Sequence, residues 1–243
     1  MSSIHRFIRL GAALCAAAFL SACGTPMGLT KQTTQLDLSK KSIVLASFEV
    51  TRSNGRLMPD PRYVLLGDKA AASDDKSKLS LAIDDEGMEQ DTGKPRKLVL
   101  VRMSLDPGKH SIRHVMGTIT GFLAAGTWVV PLDTDFEVPP QSVVYLGRIS
   151  AHLRDRKDNE FRAGSLIPLI DQAALGISNA TVDVTVSDQS SVDLPRFKQE
   201  FAALRTQSIQ TQLLPAYDRS VFDRAFMGNA TSAAQPSAAL KPN

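Results

Sequence analysis

The chain has 243 residues, with 28 Lys and Arg against 25 Asp and Glu, a formal net charge of +3, and only two cysteines, Cys15 and Cys23. So even a balance gives no electrostatic case for nucleic acid or for a polybasic membrane patch, and the length bounds the molecule to one large domain, or one domain with an appendage. Gly and Pro are dispersed rather than concentrated, so the middle of the chain reads as globular and not as low-complexity sequence.

Residues 1–22 have the three parts of a secretory signal: Arg6 and Arg9 in a positive n-region, an apolar run from Leu10 to Leu20, and small Ser21-Ala22 before the cut. The run is too short to cross a bilayer of roughly 30 Å as a helix, which takes about 20 apolar residues. The stretch Leu20-Ser21-Ala22-Cys23 resembles the lipobox of bacterial lipoproteins: an aliphatic residue, two small residues, then cysteine. That resemblance implies that Cys23 takes a diacylglycerol on its sulfur, becomes the first mature residue and tethers the protein to a membrane. Gly24 stands where inner-membrane lipoproteins often carry aspartate, which by the same resemblance implies the periplasmic face of the outer membrane. Cys15 would leave with the signal and Cys23 would become a thioether, so no disulfide and no cysteine zinc site would remain. Loss of Arg6 and Arg9 leaves 26 basic against 25 acidic side chains, a net of +1.

Residues 23–41 are polar, rich in Thr, Gln and Lys, and read as a tether that lifts a domain off the membrane. A β-sandwich domain is expected over 42–190. Its first strand is Ser42 to Val50 (SIVLASFEV), stopped by Ser53-Asn54-Gly55. Arg62 to Leu66 is a second, and Leu79 to Ile83 a third within a solvated polar excursion over 68–96. Lys97 to Leu105 has apolar residues on both parities, as a strand buried on both faces would. Asp106-Pro107-Gly108 is a turn, proline presetting φ at one corner and glycine accepting φ > 0 at the next. It predicts a hairpin with Lys109 to Val115. Asp135 to Val138 and Ser142 to Leu153 predict a second pair across Pro139-Pro140-Gln141, and Thr181 to Val186 alternates strictly, with Asp183 facing out.

The period then changes from two to about 3.6 residues. Asp193 is the expected N-cap of a helix with Pro195 in its first turn and Phe197, Phe201 and Leu204 on one face. A shorter helix is expected around Ser220 to Phe226, so 191–227 forms a helical appendage. Residues 228–243 hold Ala, Ser, Pro and Gly with no large core former, and read as a disordered tail. The expected fold is mainly β, an antiparallel β-sandwich with a C-terminal helical segment. The segments Leu105-Asp106-Pro107-Gly108-Lys109-His110 and Val143-Val144-Tyr145-Leu146-Gly147 resemble a pattern in uncharacterised bacterial lipoproteins. There a small transthyretin-like or immunoglobulin-like sandwich carries an L-x-P-G-x-H hairpin and a later V-Y-L-G strand. The likeness covers residues 97–150 and implies no activity.

Few residues suggest chemistry. His110 and His114 stand four apart, a metal-binding spacing on a helix, but on a strand they are about 13 Å apart, too far for one ion. Asp84-Asp85-Glu86-Gly87 lacks the glycine at position six and the glutamate at position twelve of a calcium loop and reads as a solvated acidic loop. Ser73-Asp74-Asp75-Lys76 matches Ser-x-x-Lys, without the companion boxes of penicillin-recognising enzymes. No catalytic residue, metal ligand or cofactor site is assigned. The uncharged stretch Val115 to Leu132 reads as a buried, glycine-jointed β segment; the alternative is a contact surface built on Phe122 and Trp128 that meets lipid or a protein partner. Together these features predict a lipid-anchored periplasmic protein, a binding or structural module for an envelope partner. The alternative is an envelope hydrolase whose site assembles only in three dimensions.

Overall fold

A computed structural model of the chain describes residues 24–53, 57–67, 78–90, 95–121, 125–164 and 179–224. Cys23, Phe122, Ser73 to Lys76 and the tail 228–243 lie outside the described residues. The strands are β1 (Ser42–Arg52), β2 (Asp60–Leu66), β3 (Leu79–Ala82), β4 (Met88–Gln90), β5 (Arg96–Leu105), β6 (Gly108–Thr120), β7 (Ala125–Val138), β8 (Val143–Asp155), β9 (Ala180–Ser187) and β10 (Gln210–Thr211). One sheet of six strands has the order β10-β8-β1-β5-β4, with β9 also paired to β8; a sheet of four has the order β3-β2-β6-β7. The two lie face to face as an open β-sandwich, with β1–β8 and β10–β8 the parallel pairs.

Burial explains which strand belongs to which sheet. On β1 and β5 almost every residue is buried, whichever way it points. These strands need cover on both faces. One face of the six-stranded sheet packs on the other sheet through Val44, Phe48, Val99, Val101 and Met103. Its opposite face is covered by helix α1 (Ser190–Glu200) and the 3-10 turn Ala202–Leu204, where Phe197, Phe201 and Leu204 meet Leu45, Leu100 and Tyr145. Strands β6 and β7 instead alternate, with Ile112, Val115, Ile119, Trp128 and Val130 inward. They suit a sheet with one covered face.

The same logic corrects both expected hairpins. Asp106-Pro107-Gly108 turns the chain, with Gly108 at φ +126, but β5 already has β1 and β4 as neighbours and β6 pairs with β2 and β7. Pro139-Pro140-Gln141 likewise carries the chain from β7 in one sheet to β8 in the other. Each turn is a corner between layers because it joins a doubly buried strand to an alternating one. The helical region is no appendage, since its aromatic side chains are part of a buried cluster. Residues 219–224 are helical and overlap the second helix expected around Ser220 to Phe226.

Residues 24–41 are not a free tether. Thr25 pairs in parallel with Leu81 on the outer edge of β3, through Thr25 N–H to the Ser80 carbonyl (2.7 Å) and Ala82 N–H to the Thr25 carbonyl (2.8 Å). Gly28 N–H then donates to the Arg102 carbonyl (2.6 Å), and Met27 and Leu29 are buried. This strap links one edge of each sheet. On the other side, Val129 N–H donates to Ala163 and Ala163 N–H to Ala180, joining β7 to β9.

Trp128 is fully buried and stacks on Phe48 of the opposite sheet, ring centroids 6.3 Å apart. Its indole N–H donates to the Thr118 carbonyl at 3.2 Å. The contact-surface alternative therefore fails at Trp128, because the inward parity of β7 places the indole between the sheets. Gly117, its cross-strand partner, makes the room: a Cβ there would lie 2.2 Å from Trp128 Cζ2 and 2.3 Å from the Asp60 carbonyl. Trp128 is the only tryptophan, so its emission should be blue-shifted and poorly quenched by acrylamide. Gly117→Ala should cost about 3 kcal/mol, at the upper end for overpacking, lower the melting temperature and raise acrylamide quenching. A variant with wild-type melting and quenching would contradict the packing described.

Candidate functional site

The outer face of the six-stranded sheet is where polar side chains concentrate, and a bulge in β8 puts them there. Leu45 pairs with Tyr145 and Ser47 with Arg148, so Leu146 and Gly147 oppose the single residue Ala46. The extra residue is Gly147, at φ +96, a backbone state that L side chains avoid. It resets the parity of the strand. Val144 and Leu146 before it and Ile149, Ala151 and Leu153 after it all reach the inter-sheet core. Arg148, which strict alternation from Val144 would point into that core, faces α1 instead.

There Arg148 meets Asp193, a fully buried carboxylate. Arg148 Nε donates to Asp193 at 3.1 Å and its terminal nitrogen forms an ion pair with the same carboxylate. The Tyr145 hydroxyl donates to Asp193 at 2.6 Å, and Glu49 joins Arg148 (3.2 Å) to Arg96 (2.9 Å). Burial alone would raise the Asp193 carboxyl, but the hydrogen bonds from Arg148 and Tyr145 outweigh it and hold the group below the usual aspartate range. Burial, with Asp193 as neighbour, pushes the Tyr145 phenol well up. Asp193 is thus not the N-cap. That position is Gln189, which makes no side-chain cap bond, and Asp193 lies inside α1. Its short side chain serves a charge on the sheet rather than the helix end.

Arg102, on β5, is 1% exposed. It donates through Nε to the Leu29 carbonyl (3.0 Å), through one terminal nitrogen to the Glu86 and Leu100 carbonyls (2.7 Å each), and through the other to both Asp84 oxygens (2.7 and 2.6 Å). Its guanidinium also lies over the Phe201 ring at 4.3 Å. The acidic loop is therefore structural, since Asp84 binds Arg102 and Glu86 accepts the Lys31 N–H at 2.6 Å. Among the described residues no three His, Cys, Asp or Glu side chains converge as metal ligands. A third network holds the C-terminal segment. Arg154 binds Glu160 and Asp183, and Arg219 binds Asp183, Asp223 and the Thr181 hydroxyl while lying over Phe161.

The histidines are separate from one another in role. His110 and His114 lie on β6, as expected, with His110 Nε2 2.8 Å from the Asp106 carbonyl. Burial lowers the His114 pKa, with Asp133 opposing it. His152 lies between two hydroxyls, Thr51 Oγ1 2.7 Å from Nδ1 and Ser53 Oγ 2.6 Å from Nε2. If Nε2 accepts the Ser53 proton, Nδ1–H faces Thr51, where a hydrolase would place a carboxylate. The cross-strand neighbour of His152, Asp183, is taken by Arg154 and Arg219.

Of the cavities, one of about 830 Å³ opens at the β5–β6 corner beside Lys41, Lys109, His110, Asp135 and Glu137. A second, of about 390 Å³, lies between β7 and the C-terminal segment, against Leu132, Leu214, Tyr217 and Phe222. Ser53 and His152 line neither. Sequence reasoning missed the three arginine networks. The signal that could have found Arg102 and Arg148 was a lone arginine within an apolar strand, since a charge there needs partners from elsewhere in the chain. In comparisons with protein-family models and with curated proteins, the chain matches none.

The Arg154 guanidinium holds the Glu160 carboxyl at about 2, burial opposing. A depressed carboxylate contributes stability that is present above its unfolded value of about 4.3 and is lost as pH falls through about 2. Glu160→Gln should therefore destabilise by about 1 kcal/mol at pH 7, a figure reduced for solvent screening. In urea melts the gap to wild type should narrow between pH 4 and pH 2. A gap independent of pH would reject this pairing.

Proposed function

We propose that the chain is a bacterial lipoprotein, anchored through Cys23 to the periplasmic face of the outer membrane, whose sandwich serves as a non-enzymatic binding or structural module for an envelope partner. The observation that carries this reading is Leu20-Ser21-Ala22-Cys23 at the end of an apolar run preceded by Arg6 and Arg9. The fold is compatible with it, because Thr25, two residues after that cysteine, is already hydrogen-bonded to β3. The non-enzymatic part is supported by the use of the buried and half-buried charged groups. Arg102, Arg148, Asp193, Arg154 and Glu160 are each engaged by several protein partners, so they hold segments together rather than face a substrate.

An envelope hydrolase is the second reading, favoured only by the Ser53–His152 contact. A fluorophosphonate that labels the wild-type chain and not Ser53→Ala would support it.

Acylation adds about 0.8 kcal/mol for each buried CH₂, and several chains anchor a protein where one barely does. Cys23→Ala should therefore abolish palmitate labelling and normal maturation, and wild-type protein should fractionate with the outer membrane. Persistent labelling of the variant would reject the anchor.

A further inference from the structure

The two outer faces of the sandwich differ. Strand pairing sets Ala82, Tyr63, Met116 and Val129 in one row across the outer face of the four-stranded sheet. The adjacent row holds Leu65, His114 and Pro131. Their chain neighbours Val64, Val115 and Val130 point inward and are buried. On the outer face Tyr63 is 37% exposed, while Leu65, Met116, Val129 and Pro131 are half-buried. The two buried apolar clusters among the described residues lie between the sheets and beneath α1, neither of them on this face. A contiguous apolar band on a sheet face that lies outside both described clusters marks a contact site.

The position of the anchor says what covers it. Thr25 extends this same sheet as a strand beside β3. Cys23 is two residues earlier, within about 7 Å of extended chain. Tyr63 is two strand spacings from Thr25, about 10 Å. Acyl chains leaving Cys23 therefore enter a bilayer whose surface lies within reach of the band, and no flexible spacer lets the domain stand away from it. The face also has the chemistry of the interface, since tyrosine combines an apolar ring with a hydroxyl that suits headgroup depth.

Resting on the lipid anchor proposed above, we infer that the outer face of the four-stranded sheet lies on the membrane surface, with Tyr63, Met116 and Val129 against lipid. The α1 side then faces the periplasm and is the side available to a soluble or cell-wall partner.

Both cysteines of the sequence lie at or before position 23, so after lipidation an introduced thiol is the only one to label. Met116→Cys and Gln199→Cys, the latter exposed on α1, would each be made in the full-length gene. The purified lipidated proteins would carry an environment-sensitive NBD label in phosphatidylethanolamine–phosphatidylglycerol vesicles, with and without headgroup-nitroxide lipid. Tyr63→Cys gives a second reporter at an exposed position, should a label at Met116 disturb folding. The expected result is blue-shifted emission and several-fold stronger nitroxide quenching at positions 116 and 63 than at 199. Equal quenching, with acyl chains found on Cys23 by mass spectrometry of the N-terminal peptide, overturns this inference and leaves the anchor standing. A blue shift without quenching also overturns it, since protein rather than lipid then covers the face. Absence of acyl chains overturns the anchor and this inference together.

Discussion

A single desolvated guanidinium ties together the parts of this fold that no strand pairing connects. Arg102 makes five hydrogen bonds, to the N-terminal strap, the acidic loop and its own strand, and carries Phe201 of the C-terminal region on its face. Five is the full donor capacity of the side chain. The planar fork matters, because a lysine in the same place could satisfy neither the spread of three carbonyls nor the bidentate Asp84. Taking such a charge out of water costs several kcal/mol and is offset only when every donor is met. The segments at 24–30, 84–86 and 197–204 are thus held in mutual register, since removing any of them leaves a buried cation short of partners.

The Arg148–Asp193 pair repeats the device on the same face, at a point where geometry alone would have failed. Were Gly147 paired regularly instead of bulged, Arg148 would fall opposite Phe48 and point between the sheets. The bulge spares the core a charge and gives α1 a fixed seat on Tyr145 and Arg148. Covering that face in turn permits β1 and β5 to be apolar on both sides. The doubly buried strands, the helix, buried Arg102 and half-buried Arg148 are therefore one arrangement, each requiring the others.

What results is a polarised sandwich. One sheet is roofed by a helix and laced by ion pairs; the other has an outer face that carries neither of the described apolar clusters, with a short N-terminal strap along its β3 edge. A protein held by a long disordered tether samples all orientations, whereas Thr25, two residues after the proposed attachment point, is already hydrogen-bonded to β3. The strap also links one edge of each sheet, so a pull at the N-terminus would be borne by β3 and β5 rather than by a flexible segment.

The strands were legible in the sequence because burial pattern is a local property. SIVLASFEV and KLVLVRMSL are apolar on both parities and proved to be buried on both faces, and TVDVTV alternates and proved to be an edge strand beside β8. The stretch Leu20-Ser21-Ala22-Cys23, on which the proposed anchor rests, is local too, being read from residues in sequence. Pairing was not legible, because a Pro-Gly turn specifies a reversal and not the layer into which the chain returns. That choice belonged to the number of faces each strand had to cover. The roles of Asp84, Arg102, Arg148 and Asp193 were equally hidden, since a charge in an apolar strand announces a need for partners but not their address. The polarity of residues 24–41 suggested a tether for the same reason: backbone hydrogen bonds to β3 and β5 carry no signature in side-chain composition. Only the tertiary structure decided that these residues are part of the fold, because only there do the edges they satisfy come together.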